Sequence, residues 1–273
     1  MELKDKTVLI TGSTDGVGRL VAQRLGAGGA RLLVHGRDAT RGQAAVAEIE
    51  AAGGKAEFLV ADLSSLVEVR RLAEAVRAGT DRLEILINNA GIGTAGTKRQ
   101  VSADGYELRF AVNYLAGFLL TSELLPLLKA SAPARIVNVA SAGQQAIDFD
   151  DVMLTRNYDG VRAYCQSKLA QIMFTIDLAQ ELKNTGVTVN SLHPASYMNT
   201  TMVWLAGITP WNSVETGAEA ILNLATSPAL EGRSGLYFDG QNESRANVQA
   251  YDAKARQQLR TLSRELVERP SPI

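Results

Sequence analysis

A short apolar run, Thr7-Val8-Leu9-Ile10, leads straight into a glycine-studded turn, and apolar residues at helical spacing follow: Val17, Leu20, Val21 and Leu25. The same unit recurs along the chain. Segments 31–35, 56–61, 83–88, 135–140, 187–192 and 235–238 read as further strands. Segments 39–51, 66–76, 106–129, 161–184 and 214–226 read as helices, with a bend expected in the long one near Pro126. The strands are apolar throughout rather than alternating, as a parallel sheet covered on both faces requires. The pattern predicts an α/β fold, doubly wound, with a mostly parallel seven-stranded sheet and helices on both faces.

Nothing divides the chain. It has 273 residues, within the range of one large α/β domain, and no repeat, linker or shift of composition marks a second one. The expectation is a single domain over 1–273, with a polar, Arg-rich helical tail at about 247–268 running to Arg269-Pro270-Ser271-Pro272. A net charge of -1 argues against a nucleic-acid footprint. The only cysteine, Cys165, excludes an intrachain disulfide and suits a reducing compartment. The start of the chain is charged, and the longest apolar stretch, 110–120, is shorter than the about 18 residues a membrane helix needs. A cytoplasmic protein without membrane contact is expected. His35 and His193 are far apart and show no ligand spacing, so no metal is expected.

The turn after the first strand is Thr11-Gly12-Ser13-Thr14-Asp15-Gly16-Val17-Gly18. Its glycines allow a tight turn and the approach of a pyrophosphate to a helix N-terminus. Plain strand–helix turns also use glycine, but the position directly after strand one favours a dinucleotide site of Rossmann type. The second strand ends at His35-Gly36-Arg37-Asp38. An acid at this strand end would bond a ribose 2′-hydroxyl, whereas a guanidinium pairs with a 2′-phosphate. Arg37 therefore points to NADP(H) over NAD, with Asp38 as a helix cap; the alternative is that Arg37 is a solvated turn residue.

Tyr164 and Lys168 stand one helical turn apart. A phenol titrates near about 10, and a neighbouring ammonium lowers that value toward the range where it exchanges protons with a carbonyl oxygen. Alone, the pair is more often an ordinary surface contact.

Together these features resemble the short-chain dehydrogenase/reductase family in its compact single-domain form. The resemblance covers roughly residues 5–240 and rests on Thr11 to Gly18, Asp62-Leu63, Asn88-Asn89-Ala90-Gly91, Asn113, Ser141 and Tyr164 with Lys168, in that order. His35 to Asp38, Val112 to Thr121 and the long gap from Ser141 to Tyr164 are similar to the retinol dehydrogenase-like, NADP-linked branch. The resemblance implies an oxidoreductase that interconverts a ketone or aldehyde and an alcohol, acting on a moderately apolar small molecule. Asn113, Ser141, Tyr164 and Lys168 would be catalytic. Gly12, Ser13, Thr14, Asp15, Gly16, Val17, Gly18, Arg37, Asp62, Leu63, Asn89, Ala90, Gly91 and Pro194 would bind the cofactor, together with Tyr164 and Lys168. Ser141 would orient the carbonyl oxygen, and a water at Asn113 would link Lys168 to solvent. Family members are often homodimers or homotetramers built on the two long helices, here 106–129 and 161–184. Two departures stand out: Ala140-Ser141 where Ser-Ser is frequent, and Pro194-Ala195 where Pro-Gly is usual.

Segment 194–212, holding Met198, Met202, Trp204, Leu205 and Trp211, reads as a substrate lid or equally as a packing surface. Two rival functions remain. One is a catalytically silent NADP-binding regulator, which has no need of all four catalytic residues. The other is a sugar-nucleotide epimerase or dehydratase, which needs a larger C-terminal part.

Overall fold

The computed structural model describes residues 2–96 and 98–269; the Pro-Ser-Pro end of the expected tail lies outside them. Strands β1 (Thr7–Ile10), β2 (Arg31–Gly36), β3 (Lys55–Val60), β4 (Ile85–Asn88), β5 (Ala134–Val139), β6 (Val187–His193) and β7 (Tyr237–Asp239) form a parallel sheet. An eighth strand, β8 (Asn242–Ser244), folds back antiparallel on β7, so the order is β3-β2-β1-β4-β5-β6-β7-β8. The sequence reading missed β8. Its three residues are all exposed and carry no apolar pattern.

Side-chain alternation along each strand feeds two separate cores. Leu9, Leu33, Leu86 and Ile136 face one of them, with α3 (Leu66–Gly79), α4 (Ala116–Ala130), α5 (Gly160–Glu181) and α8 (Ala253–Glu268) supplying the other wall. Val8, Ile10, Val34, Ile85 and Val137 face the second, closed by α1 (Gly16–Ala27), α2 (Ala39–Ala51) and α7 (Val214–Thr226). Because both faces of the central strands are buried, β1 and β4 are apolar almost throughout, whereas the edge strand β3 carries Lys55 and Glu57.

The strand order reverses between β1 and β4, and ligands in open parallel sheets collect outside the strand ends at such a point. The turns after β1, β4 and β5 all open there.

The long helix expected over 106–129 departs from regular geometry, though not at Pro126, which lies inside α4. Phe110–Leu115 forms a π-helical segment that runs directly into α4. Such a widened turn inserts one residue and often marks a functional site. The continuous helix Phe110–Ala130 has 21 residues and is apolar enough, by length and composition, to cross a membrane, more than the 110–120 stretch suggested. In this fold Phe110, Leu115, Leu120, Leu124 and Leu128 are buried in the core.

The C-terminal helix is amphipathic rather than polar. It buries Leu259, Ser263 and Leu266 across the two long helices. The Tyr114 hydroxyl meets Ser263 Oγ at 2.7 Å, and Arg260 pairs with Asp177 of α5 at 2.7 Å. The long helices, the surface expected to build an oligomer, are thus partly covered by the chain's own α8.

Candidate active site

The turn between β1 and α1 is packed so closely that its glycines are required. Gly12 has φ +65°, and a Cβ there would stand 2.8 Å from Ala90 Cα. A Cβ on Gly18 would lie 2.3 Å from Gly12 O and 2.4 Å from Asn89 Nδ2. The Asn89 amide donates to Thr11 O and Gly12 O, both at 2.9 Å, while the Thr11 hydroxyl accepts from Asn89 N and Ala90 N. The turns after β1 and β4 are therefore one knitted unit. Ser13 is fully buried, its hydroxyl donating to Ile10 O and accepting from His35 N, so it supports the loop from within. Thr14 fits the space left by Gly36, where a Cβ would come within 2.5 Å of the threonine methyl.

Asp15 caps α1 through the Gly16 amide at 2.7 Å, and its other oxygen accepts from the Thr201 hydroxyl at 2.8 Å. Arg37 projects outward, with its side chain 68% exposed and Asp62 Oδ2 at 4.0 Å. Asp38 caps α2 through Arg41 N, as expected. Leu63 lies in the core and Pro194 directly follows β6, so both support the loops through packing and chain path.

The four expected catalytic residues converge at the ends of β4 and β5. A Cβ on Gly91 would lie 3.3 Å from Asn113 Oδ1 and 3.5 Å from Lys168 Nζ. A Cβ on Gly143 would lie 3.5 Å from both Ser141 Oγ and Tyr164 Cε1. The two glycines leave open the space around the reactive groups. Lys168 Nζ sits 5.8 Å from the Tyr164 ring centroid and donates to Val139 O and Gln171 Oε1, each at 2.9 Å. Asn113, on the π segment, accepts from Ile92 N at 2.8 Å and donates to Ile92 O and Ser167 Oγ. Its carboxamide is used by protein groups at both ends and fixes the turn beside Lys168.

Ser141 Oγ accepts from Gly143 N at 3.0 Å, which leaves its own hydrogen free to donate. The Ser141 carbonyl is held by Gln144 Nε2 at 3.0 Å and the Tyr237 hydroxyl at 3.2 Å. Sequence reasoning missed Gly143, Gln144, Gln171 and Tyr237 as parts of this site. Gln171 was within reach, since it follows Lys168 by one helical turn on the same face. Tyr237 comes from a distant strand and left no local signal.

The electrostatics differ from expectation. Burial raises the Tyr164 pKa above its ordinary value, with the Ser141 hydrogen bond working in the opposite direction. Burial also lowers Lys168 to about 7. The expected depression of the phenol by the lysine is absent because both groups are stripped of water and the ammonium itself is destabilised. The cluster thus holds a protonated phenol, a hydroxyl beside it and an amine whose burial lowers its pKa to about 7. Such a set can deliver a proton to a developing alkoxide.

Over this floor lies segment 194–212, with the short helix α6 (Thr201–Leu205), none of whose residues is buried. It is tethered at a few points. Met198 fits against Gly217, and Met202 covers Gly93. The Trp211 indole donates to Ser196 O, and the Tyr197 ring lies tilted against Trp211 with centroids 5.6 Å apart. The left-handed backbone falls on Tyr197 (φ 48°), not on Ala195, so the alanine does not disturb the path. Among the described residues no group of three or more His, Cys, Asp or Glu is placed to hold a metal.

The family model for short chain dehydrogenase matches residues 6–207. The chain belongs to the short-chain dehydrogenase family. Retinol dehydrogenase 13 of Mus musculus is 36% identical over 285 residues, covering 96% of this chain and 84% of that protein. This agrees with the retinol dehydrogenase-like branch, and the chain is an oxidoreductase. Among solved structures, a short chain dehydrogenase from Burkholderia cenocepacia J2315 in complex with NADP is 30% identical, with a TM-score of 0.72 over 89% of this chain and 99% of its own. The landomycin C-6 ketoreductase LanV with bound NADP and rabelomycin is 27% identical, with a TM-score of 0.70 over 88% and 97%.

Proposed function

We propose that this short-chain dehydrogenase/reductase uses NADP(H) to interconvert a ketone or aldehyde and an alcohol, with a moderately apolar small molecule as substrate. The observation that carries the reading is the convergence of Ser141, Tyr164 and Lys168 at the end of β5, beside the Gly91 turn. The residues fit a dinucleotide: Gly12, Gly16 and Gly18 form a cradle without side chains at a helix N-terminus, and Arg37 is exposed at the end of β2. Two structural neighbours named above were solved with NADP.

Bound NADPH supplies hydride to the carbonyl carbon. Ser141, held by Gly143 N, orients the substrate oxygen. Tyr164 gives its proton to that oxygen as charge develops. Lys168 stabilises the phenolate left behind and would hold the nicotinamide ribose. Proton return runs through Lys168 and water beside Asn113. In alcohol oxidation the same groups act as bases.

A panel of ketones and aldehydes tests this directly by NADPH consumption. Turnover lost in Tyr164→Phe with nucleotide binding retained supports the assignment. Binding without turnover across the panel favours the silent regulator. The lone Cys165 suits a reducing cytoplasmic setting. The cover of α8 over the long helices favours a monomer over the homodimer or homotetramer of many family members, which light scattering resolves.

A further inference from the structure

We propose that His35 positions the nucleotide-binding loop, its Nδ1 accepting the Gly12 N–H and so fixing the turn on which a dinucleotide phosphate would lie. The inference rests on the reading of this cleft as a dinucleotide site. His35 is 2% exposed near the end of β2. Its Nδ1 lies 3.1 Å from Gly12 N, and its Nε2 lies 3.2 Å from Ala61 O, just past β3. Both partners are backbone groups with fixed roles, an N–H on one side and a carbonyl on the other. The ring must therefore be neutral, with its hydrogen on Nε2.

The backbone adds to the grip. Ser13 N donates to His35 O at 3.0 Å, and His35 N donates to Ser13 Oγ at 3.0 Å. Gly12 has little freedom to compensate, because it holds φ +65° and presses on Ala90. One imidazole thus ties the loop after β1 to the ends of β2 and β3. Among the described residues no other side chain accepts from the Gly12 N–H, and a loop N–H stripped of its acceptor would seek another partner by moving.

Protonation would put a second donor against the Gly12 N–H. Burial opposes this and lowers the His35 pKa to about 4. The charged groups facing the ring are Asp62 and Arg37, of opposite sign, and neither reverses the effect of burial.

The two ring nitrogens can be replaced separately. His35→Asn keeps an acceptor at the position of Nδ1 and loses the donor toward Ala61. His35→Gln reaches the Nε2 position but offers nothing to Gly12. His35→Leu offers neither. NADPH affinity, read by nicotinamide fluorescence, is expected to stay within about threefold of wild type in the Asn variant and to weaken about tenfold in the Gln and Leu variants. Hydrogen exchange at the Gly12 amide is expected to rise in Gln and Leu and not in Asn. Equal losses in Asn and Gln, or Gly12 exchange that ignores the substitution, would overturn the proposal. Should wild type fail to bind NADPH, the dinucleotide reading fails, and Gly12 exchange alone still decides whether His35 fixes the loop.

Discussion

The floor and the roof of the cleft are built on opposite terms. In the floor, Asn113, Ser141 and Lys168 are buried, and each is bonded to a backbone atom. In the roof, Trp204, Leu205 and Trp211 are exposed, and α6 hangs from a handful of contacts. Low contact density goes with low local stability, and mobile covers are drawn from that end of the scale. On the proposed reading, the reaction belongs to the closely bonded part and the choice of substrate to the loosely held one.

This contrast can be broken, and the strongest attempt is at the floor. Tyr164→Phe should cut turnover by about 10²- to 10⁴-fold while the melting temperature holds, and a loss below about tenfold would remove the proton-donor role. Arg37→Ala comes next. It should weaken NADPH by about tenfold or more through loss of a charge-assisted contact, with NADH unchanged; an unaltered preference would make Arg37 a solvated turn residue.

A titration sharpens the comparison further. The folded pKa of Lys168 is lowered to about 7 from 10.5, so the unfolded chain binds more protons between those values. Stability therefore rises with pH across that window, and the cost of the buried charge is full below it. Lys168→Met should flatten this rise in thermal melts at matched salt, and an unchanged slope would show that the amine is not titrating there. The smallest effect belongs to the roof. Trp204→Ala should shift stability by no more than about 0.5 kcal/mol, as surface substitutions do, yet change KM for a bulky apolar carbonyl compound. A large stability loss with no change in KM would make 194–212 a packing surface.

Legibility followed the same division. The parallel sheet was readable because burial on both faces makes strands such as Thr7–Ile10 and Ala134–Val139 mostly apolar instead of alternating. The Gly12 to Gly18 turn and the one-turn spacing of Tyr164 and Lys168 were legible because close packing or helical spacing dictates residue type locally, whereas Asn89 and Ser141 were named only through the family resemblance. The shift in the Tyr164 pKa was not, since the direction depends on how much water the fold removes from both partners. Tyr237 and His35 were also opaque. Their hydrogen-bond partners, Ser141 O and Gly12 N, are main-chain atoms far away in sequence that carry no side-chain signature. The covering role of α8 hid behind its many charges, because its buried stripe of Leu259, Ser263 and Leu266 includes a serine.

The π-helical stretch at Phe110–Leu115 makes chain length itself a constraint. Excising one residue there would leave hydrophobicity and helical propensity nearly unchanged. It would also close the widened turn to an ordinary α-helix, so that the side chains of 110–115 change place about the axis while the flanking turns keep theirs. The Asn113 carboxamide would lose its hold on Ile92 although no residue of the reactive group had been replaced. In a segment of this kind a one-residue deletion is a harsher change than most substitutions.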